Sequence, residues 1–72
     1  MTFGQVYFRL MEGMGIRRQG WEAGKVVRLS AIGGDHLVMH LPSGNRATYC
    51  PSASDLYDKD KQDIRDDWEV VR

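Results

Sequence analysis

Thr2-Phe3-Gly4-Gln5-Val6-Tyr7-Phe8-Arg9-Leu10-Met11-Glu12-Gly13 is the stretch whose reading decides the fold. Thr2 is an N-cap residue type and Gln5 completes a capping box, so a helix is expected to begin almost at once. Phe3, Val6, Tyr7, Leu10, Met11 and Met14 recur every three to four positions, which gathers them on one face of a 3.6-residue period. Gly4, Gln5, Arg9 and Glu12 make the other face. Gly13 offers a left-handed C-cap, with Met14 placed to fold back as the apolar residue after it. Phe8 lies off the stripe. In so small a chain it is either an ordinary exposed residue or one that rests against a second subunit.

Beyond the helix the pattern becomes one of short strands separated by turn residues. Ile16 to Arg18 reads as a strand, and Gly20 permits the bend that presents Trp21. Lys25 to Ile32 is a second strand with Val26, Val27 and Leu29 as β-formers, apolar on both sides, ended by a Gly33-Gly34-Asp35 hairpin signal. His36 to Leu41 alternates cleanly: Leu37, Met39 and Leu41 point one way, His36, Val38 and His40 the other. Pro42-Ser43-Gly44-Asn45 turns the chain into a strand from Arg46 to Cys50. Pro51 closes that strand. Ser52 can cap a helical turn with Asp55 at its third position and Leu56 and Tyr57 inward. Residues 58 to 62 form a polar insertion of mixed sign, read as a solvated loop or frayed helix. Trp68 to Val71 is the closing strand. The expected architecture is α+β in one domain over 1–72: one N-terminal helix packed on an antiparallel sheet of about five short strands.

With 72 residues, the chain hides only about 60% of its extended surface on folding, so its core is small and a partner subunit would add to it. Formal charge is zero but unevenly laid out. Residues 1–50 hold six basic side chains against Glu12, Glu22 and Asp35, whereas residues 51–72 hold seven acids against Lys59, Lys61, Arg65 and Arg72. This argues against a duplex-tracking surface, because non-specific nucleic-acid affinity comes from summed phosphate neutralisation. The single cysteine, Cys50, cannot form an internal disulfide; it fits a reducing compartment and reads as a small buried or half-buried apolar residue. The sequence contains no long apolar run and no leader pattern, so a soluble, cytoplasmic protein without a membrane partner is expected.

The sequence offers no catalytic constellation. A Walker loop, a Cys-x-x-Cys pair, a His-Glu-x-x-His helix and a serine elbow are all missing. The spacing of Asp55, Asp58, Asp60 and Asp63 does not match a calcium loop. His36 and His40 would lie about 13 Å apart at strand rise, too far for one metal ion. Neither enzyme activity nor a metal or cofactor is expected. A binding site is easier to assemble. Trp21 at its glycine bend supplies a flat face for a purine, at about 1–3 kcal/mol of stacking. Arg17, Arg18 and Arg28 could address phosphate with paired donors, and Asn45, Thr48 and Tyr49 could read base or ribose edges. The alternative for Trp21 is a core or interface tryptophan, and for the arginines a solvated strand edge.

Two motifs carry a resemblance to a known family. Thr2-Phe3-Gly4 through Leu10, then Gly13, Ile16, Arg18 and Gly20-Trp21, resembles the opening of the phage and prophage family called Thoeris anti-defence protein two, in which a helix leads into an Arg-x-Gly-Trp turn. Pro51-Ser52, Asp55-Leu56 and Asp67-Trp68-Glu69-Val70-Val71 resemble that family's ending. The resemblance implies a homo-oligomer, a tetramer, that sequesters a cyclic ADP-ribose-type signal without cleaving it, in pockets between subunits. Some relatives also take cyclic dinucleotides. It further implies ligand contact at Trp21 and at Asp67-Trp68. Many relatives have a Pro-Trp where this chain has Tyr49-Cys50-Pro51-Ser52, so Tyr49 substitutes for that tryptophan or the ligand differs. The alternative reading is a structural or protein-interaction phage module with this fold and no nucleotide pocket; a small nucleic-acid-binding regulator is the third.

Overall fold

Both ends of the helix are fixed by local chemistry. The computed structural model describes residues 1–30 and 36–71. Helix α1 (Phe3–Met11) starts at Thr2, whose hydroxyl accepts the Gln5 amide while the Gln5 side chain accepts the Thr2 amide. It ends with Gly13 at φ +95°, the Gly13 amide donating to the Leu10 carbonyl and the Met14 amide to that of Arg9. This pair of bonds is the Schellman arrangement, which satisfies carbonyls the last helical turn leaves open.

The strands are β1 (Gly15–Arg18), β2 (Val26–Leu29), β3 (Leu37–His40) and β4 (Arg46–Tyr49). A short helix α2 (Ala53–Leu56) follows, then β5 (Tyr57–Asp58), β6 (Asp63–Ile64) and β7 (Trp68–Val71). Five strands make one antiparallel sheet in the order β4-β3-β2-β1-β7, while β5 and β6 pair separately. The fold is the expected one, a helix across one face of a five-stranded sheet. The strand predicted over Lys25 to Ile32 is seen as Val26–Leu29; its Ala31 and Ile32, and the Gly33-Gly34-Asp35 turn, lie outside the described residues. No described helix is long and apolar enough to cross a membrane.

Register assigns the two faces. Ile16 opposes both Val27 and Val70, Arg18 opposes Trp68, and Val27 opposes Met39, so these residues share the helix-covered face. Arg17, Val26, Arg28, Val38, His40 and Glu69 occupy the other. Val6, Leu10, Ile16 and Val27 are fully buried and Trp68 nearly so. Each such side chain stabilises the fold by about 1.5–3 kcal/mol. At Gly15 the sheet is closely packed: a Cβ there would stand 2.6 Å from Val26 Cγ1 and 3.1 Å from the Arg28 guanidinium carbon.

Several local expectations need correction. Tyr7 and Met11, read as part of the inward stripe, are 42% and 53% exposed, because the sheet reaches only Val6 and Leu10 fully and Phe3 in part. Leu56 and Tyr57 are also exposed, since α2 is a single turn beside the β5–β6 hairpin rather than over the main sheet. Cys50 is exposed, one residue past the buried Tyr49. Of the two readings of the 58–62 run, the solvated loop stands, as the exposed tip of that hairpin, and the frayed helix does not. The Asp58 carboxylate accepts the amides of Asp60 and Lys61 at 3.0 and 3.4 Å, and Arg65 pairs with Asp58 at 3.5 Å.

Leu10→Ala is expected to lower stability by about 2–5 kcal/mol, since it opens a cavity between helix and sheet. Tyr7→Ala should cost less than about 1 kcal/mol. Urea denaturation of the two variants checks this; equal losses would mean that Tyr7 carries packing the structure does not assign it.

Candidate functional site

The Arg18-Gln19-Gly20-Trp21 turn closes with the Trp21 amide donating to the Arg18 carbonyl at 3.0 Å. The turn brings the half-buried Trp21 ring onto the core face. There it meets Trp68 edge-on, with centroids 5.3 Å apart, and Tyr49 at 6.0 Å. Phe3 from the helix packs edge-on against Trp68 at 5.1 Å. The Lys25 ammonium lies 5.2 Å from the centre of the Trp21 ring, within range of a cation–π attraction.

Beside these rings is a polar network. Asp55 receives the Tyr49 hydroxyl at 2.9 Å and the Arg18 guanidinium at 3.3 Å on its two oxygens, and Arg18 also reaches Asp67 at 3.3 Å. The Ser52 amide and hydroxyl donate to the same Asp55 carboxylate at 3.2 and 3.1 Å. The Trp68 indole donates to the Asp55 carbonyl at 3.1 Å. The other Asp67 oxygen, Oδ1, is buried and has no hydrogen-bond partner among the described residues, which leaves an acceptor available. Burial alone would raise the pKa of Asp55; the hydrogen bonds from Ser52, Tyr49 and Arg18 outweigh it and hold the carboxyl below its ordinary range. Burial, then the bond to Asp55 and its charge, push the Tyr49 hydroxyl well above its ordinary value, with Arg18 partly opposing.

The structure thus brings Trp21, Arg18, Tyr49, Asp67 and Trp68 into one connected cluster. It leaves the other candidates outside. Arg17 lies on the far face, paired with Glu69 at 3.3 Å, although it reaches round the sheet end to donate to the Trp21 carbonyl at 2.5 Å. Arg28 lies on that far face, over Gly15. Asn45 is in the exposed β3–β4 turn, where its carbonyl accepts the Leu41 amide at 2.9 Å. Two members of the cluster escaped the sequence reading. Lys25 carries no motif, its only cue being its place four residues after Trp21. Asp55 is legible as the third residue after Ser52 and as part of the family's Asp-Leu motif, but nothing in the sequence joins it to Tyr49 and Arg18. Among the described residues no group of three or more His, Cys, Asp or Glu side chains is placed to hold a metal ion.

The network makes stability depend on pH at both extremes. The lowered pKa of Asp55 contributes stability that is present above the ordinary carboxylate range and is lost as pH falls through the folded value. The raised Tyr49 value contributes stability that is present below about pH 10 and lost above it. Asp55→Ala should cost roughly 2–3 kcal/mol at neutral pH, less than breaking a fully buried pair because Arg18 keeps Asp67. Thermal melts from pH 3 to 11 should show a flatter acid limb in Asp55→Ala and a flatter alkaline limb in Tyr49→Phe; unchanged limbs would contradict the assignment.

The chain was also compared with known proteins. No curated protein matches it. A family model described as the Thoeris anti-defense 2-like domain matches residues 1–71, nearly the whole chain, and covers both the Arg18–Trp21 turn and the Asp67-Trp68 strand start. The chain belongs to the Thoeris anti-defense 2-like family.

Proposed function

We propose that the protein binds and sequesters, without turnover, a cyclic signalling nucleotide of the cyclic ADP-ribose or cyclic dinucleotide type, and thereby blocks bacterial anti-phage immunity in the host cytoplasm. The observation that carries this reading is the Trp21 ring. In a chain of this family it is half-exposed, held edge-on by Trp68 and Tyr49, and attended by a cation at 5.2 Å. A purine stacked on such a ring loses little freedom to a site already ordered, and Lys25 supplies positive charge for phosphate. Asp67 Oδ1 supplies an acceptor for a base N–H or a ribose hydroxyl. Arg18 orients the site through its two carboxylates, while Arg17 and Arg28 offer further cations on the opposite face of the sheet. A homo-oligomer, expected to be a tetramer, lets the far face of one copy complete the ligand site of another.

A specific observation favours the second reading, a protein-interaction module without a nucleotide pocket. Arg18 is already matched by Asp55 and Asp67, so with Lys25 the cluster carries two positive and two negative side chains and attracts an anion only weakly.

Calorimetric titration with cyclic ADP-ribose isomers and cyclic dinucleotides separates the two readings. The sponge reading expects heat from at least one ligand, lost in Trp21→Ala by about ten-fold or more in affinity at unchanged circular dichroism. The module reading expects no heat from the wild type and a Trp21→Ala protein whose folding or assembly fails first. Silence from an assembled wild type would overturn the proposal.

A further inference from the structure

The sheet face turned away from α1 carries an unbalanced charge. Register sets Glu69, Arg17, Val26, His40 and Arg46 in one rung that crosses the strands. A second rung beside it holds Val71, Arg28 and Val38. No side chain of either rung is buried, whereas the opposite face buries Ile16, Val27, Tyr49 and Trp68. The two rungs therefore present three arginines against one glutamate. Glu69 is matched to Arg17 at 3.3 Å, while Arg28 and Arg46 have no ion pair or hydrogen bond among the described residues. Arg28 is also placed in advance. Its guanidinium lies against Gly15, where an added Cβ would stand 3.1 Å from the guanidinium carbon, so the glycine leaves it room close over the strand. Adjacent strands are about 4.8 Å apart, which makes the strip from Arg17 on β1 to Arg46 on β4 about 14 Å long. Val26 lies within that strip and Val38 beside it, so charge and aliphatic surface are interleaved.

We propose that this face docks an acidic segment of a partner protein, one whose carboxylates alternate with aliphatic side chains. Charge complementarity carries the choice. Arg28 and Arg46 are open forks, each able to take a carboxylate through two parallel N–H···O bonds. Exposed ion pairs are individually weak, so the valines between the arginines are a necessary part of recognition, covered by aliphatic groups of the partner. A second copy of the chain does not fit through the same face, because an isologous contact would set arginines against arginines. Nucleic acid fits less well than an acidic peptide. Base stacking needs aromatic rings, of which the two rungs hold none, and two unpaired arginines neutralise too few phosphates for a strong backbone contact. Within one copy the aromatic cluster around Trp21 lies on the opposite face of the sheet. The inference therefore goes beyond the nucleotide reading and does not rest on it.

The probe is a blocked, fluorescein-labelled peptide of alternating Glu and Val, titrated with the intact protein and followed by fluorescence anisotropy. The wild type should bind it, and raising salt from about 20 to about 200 mM should weaken binding at least five-fold. A peptide of alternating Lys and Val should not bind, and one of alternating Glu and Ser should bind at least three-fold less well, because it lacks the aliphatic half. Arg46→Glu should weaken binding at least five-fold at unchanged circular dichroism, since Arg46 is exposed. Arg28→Gln should also weaken it, and Arg46→Glu decides the matter if Arg28→Gln disturbs the sheet over Gly15. No binding by the wild type, equal binding by Arg46→Glu, or no preference among the three peptides would overturn the proposal. Tighter binding of a single-stranded DNA oligomer of equal charge would overturn it too, by giving the face to nucleic acid.

Discussion

Trp68 is the contact through which the rest of this small chain is held. Its ring is 1% exposed and receives Phe3 from the helix and Trp21 from the β1–β2 turn, both edge-on. Its indole N–H ties the α2 turn through the Asp55 carbonyl, and its backbone exchanges hydrogen bonds with Met1 at 3.0 and 3.1 Å. Three separate segments therefore converge on one side chain, and the N-terminal residue is tied to its backbone. A chain of this size has few fully buried residues, and an aromatic that offers a large apolar area and one hydrogen-bond donor is an efficient way to join them. Sheet order follows from the same constraint. Strand β7 must lie beside β1 for Trp68 to oppose Arg18, which places the ends of the sequence motif next to each other in space.

That arrangement gives the motif residues two roles at once. Trp68 and Tyr49 brace Trp21, and Arg18 neutralises Asp55 and Asp67, so much of the cluster's capacity for hydrogen bonding is used within one copy. Under the proposed reading, what remains for a ligand is the free part of the Trp21 ring, the Lys25 ammonium and the buried, unpaired oxygen of Asp67. The Asp55 carboxylate is not among them, because the hydrogen bonds from Ser52, Tyr49 and Arg18 already engage it and hold it ionised.

How much of this could be read from the sequence depends on the range of the interactions. The helix ends were legible because Thr2, Gln5 and Gly13 act on groups within a few residues. The face of β3 was legible because alternation has a period of two. Periodicity gives a direction but not a width, so Tyr7 and Met11 were placed inward although the sheet is too narrow to cover them. The hairpin at 57–64 was missed because its order comes from the Asp58 carboxylate binding amides two and three residues on, a pattern indistinguishable from a solvated charge run. Asp55 was the largest omission. Its partners Tyr49 and Arg18 are 6 and 37 positions away, and only the packing of β1, β4 and α2 brings them together. For the same reason Arg28 and Trp21 looked like one site in the sequence, while the register puts them on opposite faces of the sheet.

The central claim concerns capture without chemistry, and the most direct measurement recovers what the protein holds. Protein incubated with cyclic ADP-ribose isomers or cyclic dinucleotides, freed of unbound ligand, is denatured by heat and the released nucleotides are separated and weighed by mass spectrometry. The account predicts that one cyclic nucleotide is retained near one molecule per site and returns with its mass and retention unchanged. Recovery of no nucleotide, or of a cleaved or otherwise altered one, would contradict it.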